Sequence, residues 1–295
     1  MDLADTYKQV CQSIAAIAVK MPPGIPQPWV PRILGTGFVV GEGLIATNDH
    51  VVHAAHALPR LPGEENEFPI TANLFRLVPG YGMAQFPLPV LGAFVTSAFA
   101  PGGNWYGPPL PDVGFFLVKA RALPCLKIIA DASSVREGTR IATAGFPMGT
   151  DALCAPGYPH QLTPTLQEGI VSAVLPFPCR EPHALMLNIM TQGGASGSPV
   201  FLPDAPHVVG VLYAGLREKY HMEVQRLLVP YQVPTNFSYC VPGSLIQLAL
   251  DKVHTKSELA QPQDSKTLDE IMSTTLPIVI GKLPSPWPPN ERQDQ

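Results

Sequence analysis

Short apolar runs alternate with turn residues along most of the chain. Ser13 to Val19 is one such run, closed by Pro22-Pro23-Gly24. Gly35-Thr36-Gly37-Phe38-Val39-Val40 and Gly43-Leu44-Ile45-Ala46-Thr47 follow, divided by a Gly-Glu-Gly turn at 41–43. Comparable runs at 75–77, 114–118, 140–144, 169–174, 185–189, 208–213 and 238–241 predict further strands. Helix is predicted from Asp5 to Cys11 and from Ser244 to Val253. In the second stretch Leu245, Ile246, Leu248, Ala249 and Val253 recur near helical spacing. Many short strands bounded by Gly and Pro indicate a sandwich or barrel. The fold class is all-β with a short C-terminal helix.

The pattern also suggests an organisation. The region from about 58 to 111 is longer, and richer in Pro, Gly and aromatics, than a hairpin connection needs, so it reads as an insertion within the first half. The expected units are 1–125, 126–253 with the closing helix, and a polar, Pro-rich tail over 254–295.

Composition narrows the classes. The chain has 35 prolines in 295 residues, roughly 12% against about 5% in average proteins. Proline breaks helix interiors and central strands, which excludes coiled coils and helical bundles. The net charge is −4, with 14% charged residues. That balance argues against a nucleic-acid surface or a polybasic membrane surface. The five cysteines, at 11, 125, 154, 179 and 240, are odd in number and form no C-x-x-C. They read as reduced thiols rather than a disulfide framework or a zinc ribbon, which points to the cytoplasm. Met1-Asp2-Leu3-Ala4-Asp5 carries acid where a secretory signal needs basic residues. The most apolar stretch, Met83 to Phe99, is interrupted by Pro87 and Pro89, so no membrane span is expected.

Three short texts carry chemistry. Thr47-Asn48-Asp49-His50-Val51-Val52 follows an apolar strand. Asp112 opens the apolar run Val113-Gly114-Phe115-Phe116-Leu117-Val118. Gly193-Gly194-Ala195-Ser196-Gly197-Ser198-Pro199-Val200 is a glycine-rich turn around a serine. A hydroxyl is a poor nucleophile at neutral pH. It needs an imidazole to take its proton, and the imidazole needs an acid to hold its tautomer and stabilise its charged form. Glycines around the serine allow a tight turn to aim two backbone N–H groups at the point where a tetrahedral intermediate places its negative oxygen. One such donor is worth about 3–4 kcal/mol of transition-state stabilisation. Gly194 and Ser196 are the expected donors.

In the order His, Asp, Ser these texts resemble the trypsin/chymotrypsin-like serine proteases, nearest the Deg (HtrA) branch. Gly35-Thr36-Gly37-Phe38, Gly145-Phe146-Pro147, Gly169-Ile170-Val171-Ser172, Val209-Gly210-Val211 and Tyr239-Cys240-Val241-Pro242 extend the likeness. The resemblance implies two six-stranded antiparallel β-barrels with the site in the cleft between them. It implies His50 as base, Asp112 as its orienting acid and Ser196 as nucleophile, cutting peptide bonds through an acyl-enzyme with no cofactor or metal. It further implies that Tyr213, Ala214 and Gly215 pair with the substrate backbone as an added antiparallel strand. Met190, Thr191 and Gln192 approach the pocket for the side chain before the cut bond. Met190 aligns where a trypsin has its acid, so small or medium apolar side chains are expected there.

The same residues admit rivals. Asp49, next to the base, is a competing acid, but adjacent residues point different ways. Ser198 is a competing nucleophile, but the family pattern puts the reactive hydroxyl first. His50, His53 and His56 form an H-x-x-H-x-x-H series with no acidic or thiol partner at a familiar metal spacing. Ala195 replaces the acid that digestive proteases use to bind a newly cut N-terminus, so activation by N-terminal cleavage is not expected. The stretch after residue 250 is too short for the PDZ domain that many Deg proteins carry. The function expected is serine endopeptidase, with a polypeptide as partner and the oligomeric state open. An esterase on the same site is a neighbouring reading. A catalytically silent peptide-binding module is the alternative from another class.

Overall fold

The apolar runs become strands, and their inward-facing residues close two rings. A computed structural model describes residues 1–20, 32–64, 67–78, 82–95, 110–147, 149, 163–176, 181–224, 227–254, 264–274 and 278–279. In chain order the elements are α1 (Leu3–Val10), β1 (Ile14–Val19), β2 (Ile33–Gly41), β3 (Leu44–Thr47), α2 (Asp49–His56), β4 (Ile70–Val78), β5 (Gly82–Val95), β6 (Gly114–Val118) and β7 (Lys127–Ile128). There follow β8 (Arg140–Gly145), β9 (Thr165–Leu175), β10 (Ala184–Leu187), β11 (Pro199–Leu202), β12 (Ala205–Val224), β13 (Leu227–Pro242), α3 (Gly243–His254), α4 (Leu268–Thr274) and β14 (Ile278–Val279).

The first sheet runs β14-β5-β4-β1-β2-β3-β6 and is closed by pairing of β5 with β6. The second runs β11-β8-β9-β10-β13-β12-β7 and is closed by pairing of β11 with β12. Each closure makes an antiparallel ring of six strands, with β14 or β7 added outside it. Closure removes the exposed edges that open sheets carry. The two barrels meet at one buried seam. Phe38 and Phe115 from the first pack with Phe146, Phe201 and Val211 from the second, and Ile246 and Ala249 of α3 close over them. The all-β architecture and the C-terminal helix are as the strand pattern predicts.

One expectation needs correction. The stretch 58–111 is not simply an insertion, because β4 and β5 within it are two strands of the first ring. Prolines mask β5 in the sequence. Pro87 and Pro89 pair with Asn73 and Thr71 of β4, and β5 meets β6 only from Val90 onward. Pro87 therefore falls where the strand has a neighbour on one side, the place a sheet tolerates proline. Pro89 sits where pairing with the β6 side begins, its carbonyl accepting from Lys119 N–H at 2.9 Å. Residues 96–109 of that stretch lie outside the described residues. Part of the tail packs back on the first barrel. Arg121 N–H donates to the Lys266 carbonyl at 2.9 Å, Lys119 pairs with Asp264 at 2.6 Å, Leu268 is buried in the first barrel's core, and β14 pairs with β5. The prolines and Trp287 of the final segment lie outside the described residues, as do Cys154 and Cys179. No described helix is long and apolar enough to cross a membrane.

Candidate active site

α2 begins where β3 ends, and its start is tied to the strand beside it. Asn48, buried and extended (φ −89°, ψ 153°), stands at the N-cap. Its Nδ2 donates to the Asp112 carbonyl at 2.8 Å. Asp112 lies two residues before β6, which pairs with β3, so the imidazole and the carboxylate come from adjacent strand ends. The Asp112 carboxylate grips His50 twice. Oδ1 accepts from the His50 backbone N–H at 3.1 Å, and Oδ2 lies 2.6 Å from Nδ1. The carboxylate is mostly shielded, at 18% exposure, whereas the imidazole is 48% exposed. One ring nitrogen is thus held and the other edge of the ring is left open.

The other two histidines of α2 turn elsewhere. His53 Nδ1 lies 2.8 Å from Asp49 Oδ1, and His56 meets the Phe68 ring edge-on at 5.1 Å. Asp49 is therefore engaged with His53, while Asp112 serves His50. The Asp49 carbonyl and carboxylate raise the His53 imidazole from its ordinary value. Burial, partly offset by His53, raises the Asp49 carboxyl.

The serine loop is two successive tight turns. Ala195 N–H donates to the Gln192 carbonyl at 3.1 Å, and Ser198 N–H donates to the Ala195 carbonyl at 3.0 Å. The third residue of each turn is a glycine at positive φ, Gly194 at +92° and Gly197 at +87°. That is the geometry of type II turns, which other residues resist. Space forbids side chains there as well. A Cβ at 194 would lie 2.3 Å from the Phe146 carbonyl oxygen, and one at 197 would lie 1.9 Å from the Thr36 carbonyl oxygen.

Thr36 of β2 holds this loop across the seam. Its N–H donates to the Ser196 carbonyl at 2.8 Å, and its Oγ1 donates to the Gly194 carbonyl at 2.8 Å. The same Oγ1 accepts from Phe146 N–H at 3.1 Å, and the Thr36 carbonyl accepts from Thr47 Oγ1 at 2.7 Å. Gly35, beside it, is where α2 and the serine loop meet. A Cβ there would sit 2.9 Å from Val51 Cγ2 and 3.1 Å from the Ser196 carbonyl oxygen. The motif Gly35-Thr36-Gly37-Phe38 does not single this residue out, because it is one threonine in an apolar strand.

A cavity of about 240 Å³ opens beside Ser196, lined also by Thr191, Gln192, Tyr213, Ala214 and Gly215. Five of the six residues expected to bind substrate therefore share one cavity with Ser196. Met190 stands outside that lining and is 41% exposed. Arg217, which sequence reasoning did not select, is the one charged side chain in the lining among the described residues. Burial pushes the Tyr213 hydroxyl up to about 12, so it stays protonated at working pH. Ser198, the rival hydroxyl, is 1% exposed and lies in the barrel against Gly145.

Residues 35–211 match the model of the trypsin-like peptidase domain. The chain belongs to the trypsin-like peptidase family. That membership makes it a serine-type endopeptidase, a hydrolase of peptide bonds. Its fold is similar to a solved HtrA-type protease, AlgW with a decapeptide, at 15% identity and a TM-score of 0.50, over 86% of this chain and 67% of that one. A serine-to-alanine variant of the same protease, also with a decapeptide, aligns at 14% identity and a TM-score of 0.49, over 86% and 66%. No curated protein matches the sequence significantly.

Proposed function

We propose that this peptidase cuts by a Ser196–His50–Asp112 triad. The observation that carries the reading is the double grip of Asp112 on His50, through backbone N–H and ring nitrogen together. A carboxylate so placed fixes the tautomer with the proton on Nδ1. Nε2 then faces outward as an acceptor. Ser196 Oγ attacks the peptide carbonyl, and its proton passes to His50 Nε2. The N–H groups of Gly194 and Ser196 hold the oxyanion. Collapse of the tetrahedral intermediate breaks the C–N bond, and His50 returns the proton to the leaving amine. Water then repeats the sequence on the acyl-enzyme and frees the acid.

The type II turn at Gln192–Ala195 supports this assignment. A type I turn there would reverse the peptide that carries the Gly194 N–H, and the positive φ of Gly194 belongs to the type II form. No carboxylate lines the cavity among the described residues, which speaks against a basic side chain before the cut. Leu212, Ala195 and Ala214 offer apolar surface there for a small or medium apolar side chain, beside the polar Thr191, Gln192 and Arg217.

The test is hydrolysis of fluorogenic peptide amides carrying Ala, Val, Phe, Lys or Glu before the cut. Cleavage after Ala or Val that disappears in Ser196→Ala supports the proposal. Tight binding of the same peptides with no cleavage at any protein concentration would instead assign a silent binding module.

A further inference from the structure

β12 changes neighbours along its length. Through Val211 its outer edge pairs with β11. At Leu212 that edge is still engaged, the N–H donating to the Ser198 carbonyl at 3.0 Å and the carbonyl accepting from Gly197 N–H at 2.9 Å. From Ala214 to Val224 its one strand partner among the described residues is β13. Among the described residues the outer edge is thus without a strand partner from the serine loop to the end of a projecting two-stranded ribbon. The ladder breaks register between Gly215 and Arg217, where the Leu216 carbonyl accepts from Thr235 Oγ1 at 2.9 Å. Beyond the break Arg217 and His221 stand opposite Pro234 and Pro230. Proline has no N–H to give to a hydrogen-bonded pair, so the backbone groups of Arg217, Lys219 and His221 face the free edge.

The two edges of the ribbon differ. β13 carries Pro230 and Pro234 opposite His221 and Arg217. Proline is tolerated in a sheet where its nitrogen faces away from the ladder, so these two blunt the outer edge of β13. β12 has no proline between His207 and Val224 and keeps its full row of donors and acceptors.

The two faces differ as well. Directly opposed residues share a face. Tyr220 and Tyr231, Met222 and Val229, and Glu218 and Val233 form one face. It is apolar apart from Glu218, which accepts a hydrogen bond from the Tyr220 hydroxyl. Met222 is 53% exposed and Tyr231 45%. The opposite face presents Arg217, Lys219 and His221, exposed and without an ion pair among the described residues.

We propose that the free edge of β12 docks the polypeptide segment N-terminal to the cut bond. It selects an alternating pattern, with apolar side chains beside Tyr220 and Met222 and acidic ones beside Arg217 and Lys219. The inference rests on the reading of Ser196 as nucleophile and of Tyr213–Gly215 as a substrate-pairing strand. A chain antiparallel to β12 runs toward Ser196 as it descends the ribbon, so the residues before the cut lie along the arm. Backbone pairing supplies affinity and the alternate faces supply specificity. From Arg217 to Val224 the edge measures about 26 Å, at about 3.3 Å per residue. A single extended segment of about eight residues covers it. The apolar face is about 26 Å by 10 Å, roughly a third of the 800 Å² per partner that a stable protein interface buries. A strand on the edge therefore fits better than a second copy of the ribbon on the face.

The test uses the full chain and fluorogenic peptides with one apolar residue before the cut. They differ in an N-terminal extension of about eight residues: none, alternating Val-Glu, the same pattern shifted by one residue, or alternating Val-Lys. One phase of Val-Glu is expected to lower KM at least about tenfold against no extension. The shifted phase loses the gain, because a one-residue slip exchanges the faces, and Val-Lys gives none. Lys219→Glu narrows or reverses the preference for Val-Glu over Val-Lys. Equal KM across the set, with the short peptide cleaved, overturns the inference and leaves the triad standing. Phase-dependent binding to Ser196→Ala, read by fluorescence anisotropy, with no cleavage by the unaltered protein, upholds the docking edge and overturns the triad. A shift in sedimentation by Lys219→Glu with no effect on KM assigns the ribbon to contacts between copies and overturns the inference.

Discussion

Thr36 Oγ1 donates to the Gly194 carbonyl at 2.8 Å, joining a strand of the first barrel to the turn beside Ser196 in the second. The same oxygen accepts from Phe146 N–H, so one hydroxyl supports two backbone groups across the seam. Thr36→Val keeps the shape and removes both bonds. Phe146 is 2% exposed, and leaving its N–H unpaired costs about 1–3 kcal/mol. The midpoint of urea unfolding should fall accordingly. With the turn released, kcat should fall by about 10- to 100-fold, taking oxyanion support as the quantity lost in part. Thr36→Ser should restore most of both.

Gly197→Ala should be far more damaging than a surface glycine change. The position has φ +87°, and the added carbon would overlap the Thr36 carbonyl oxygen and Thr47 Oγ1. Strain and overlap together should cost more than about 3 kcal/mol. The expected result is a lowered unfolding midpoint with loss of activity. Gly63→Ala is the comparison, since its positive φ is similar at +80° and nothing lies within 4 Å.

Asp112→Asn tests the acid separately from the fold. The amide oxygen can still accept the His50 backbone N–H, so the melting temperature should change little. The tautomer-fixing carboxylate is lost, and kcat should fall about 10³- to 10⁴-fold. Asp49→Asn should leave kcat within about threefold, because Asp49 is engaged with His53.

The Asp49–His53 pair gives stability a pH dependence of defined sign. The raised imidazole means that the folded state holds this proton more tightly than the unfolded chain. The contribution is present below the unfolded value, about 6.5, and is lost as pH rises through the folded value. The raised Asp49 carboxyl closes the window again in acid. The difference in melting temperature between the unaltered protein and His53→Ala should be wider below the ordinary imidazole value of about 6.5 than well above it, and should shrink as pH rises.

The strand-rich class and the order of the three motifs were legible because they are local. Gly194 and Gly197 announce tight turns, and Asp112 opens a run as apolar as β6. What escaped was non-local. β5 carries Pro87 and Pro89, which read as strand breakers until its pairing with β4 is seen. The return of Leu268 and Ile278 to the first barrel depends on partners roughly 150–200 residues earlier. The ribbon of β12 and β13 alternates faces clearly once paired, yet nothing in Arg217 to Val233 alone announces which strand opposes which. Thr36 is the same case at the site, since its role lies in bonds to residues 110 and 158 positions away.

The central claim is that the hydroxyl of residue 196 is the nucleophile. An activity-based phosphonate ester with an apolar side chain, followed by peptide mapping in a mass spectrometer, tests it most directly. One adduct per chain on Ser196, with Ser198 unmodified and hydrolysis lost in proportion to labelling, is the expected result. An adduct on Ser198, or full peptidase activity in Ser196→Ala with no adduct there, would contradict the account.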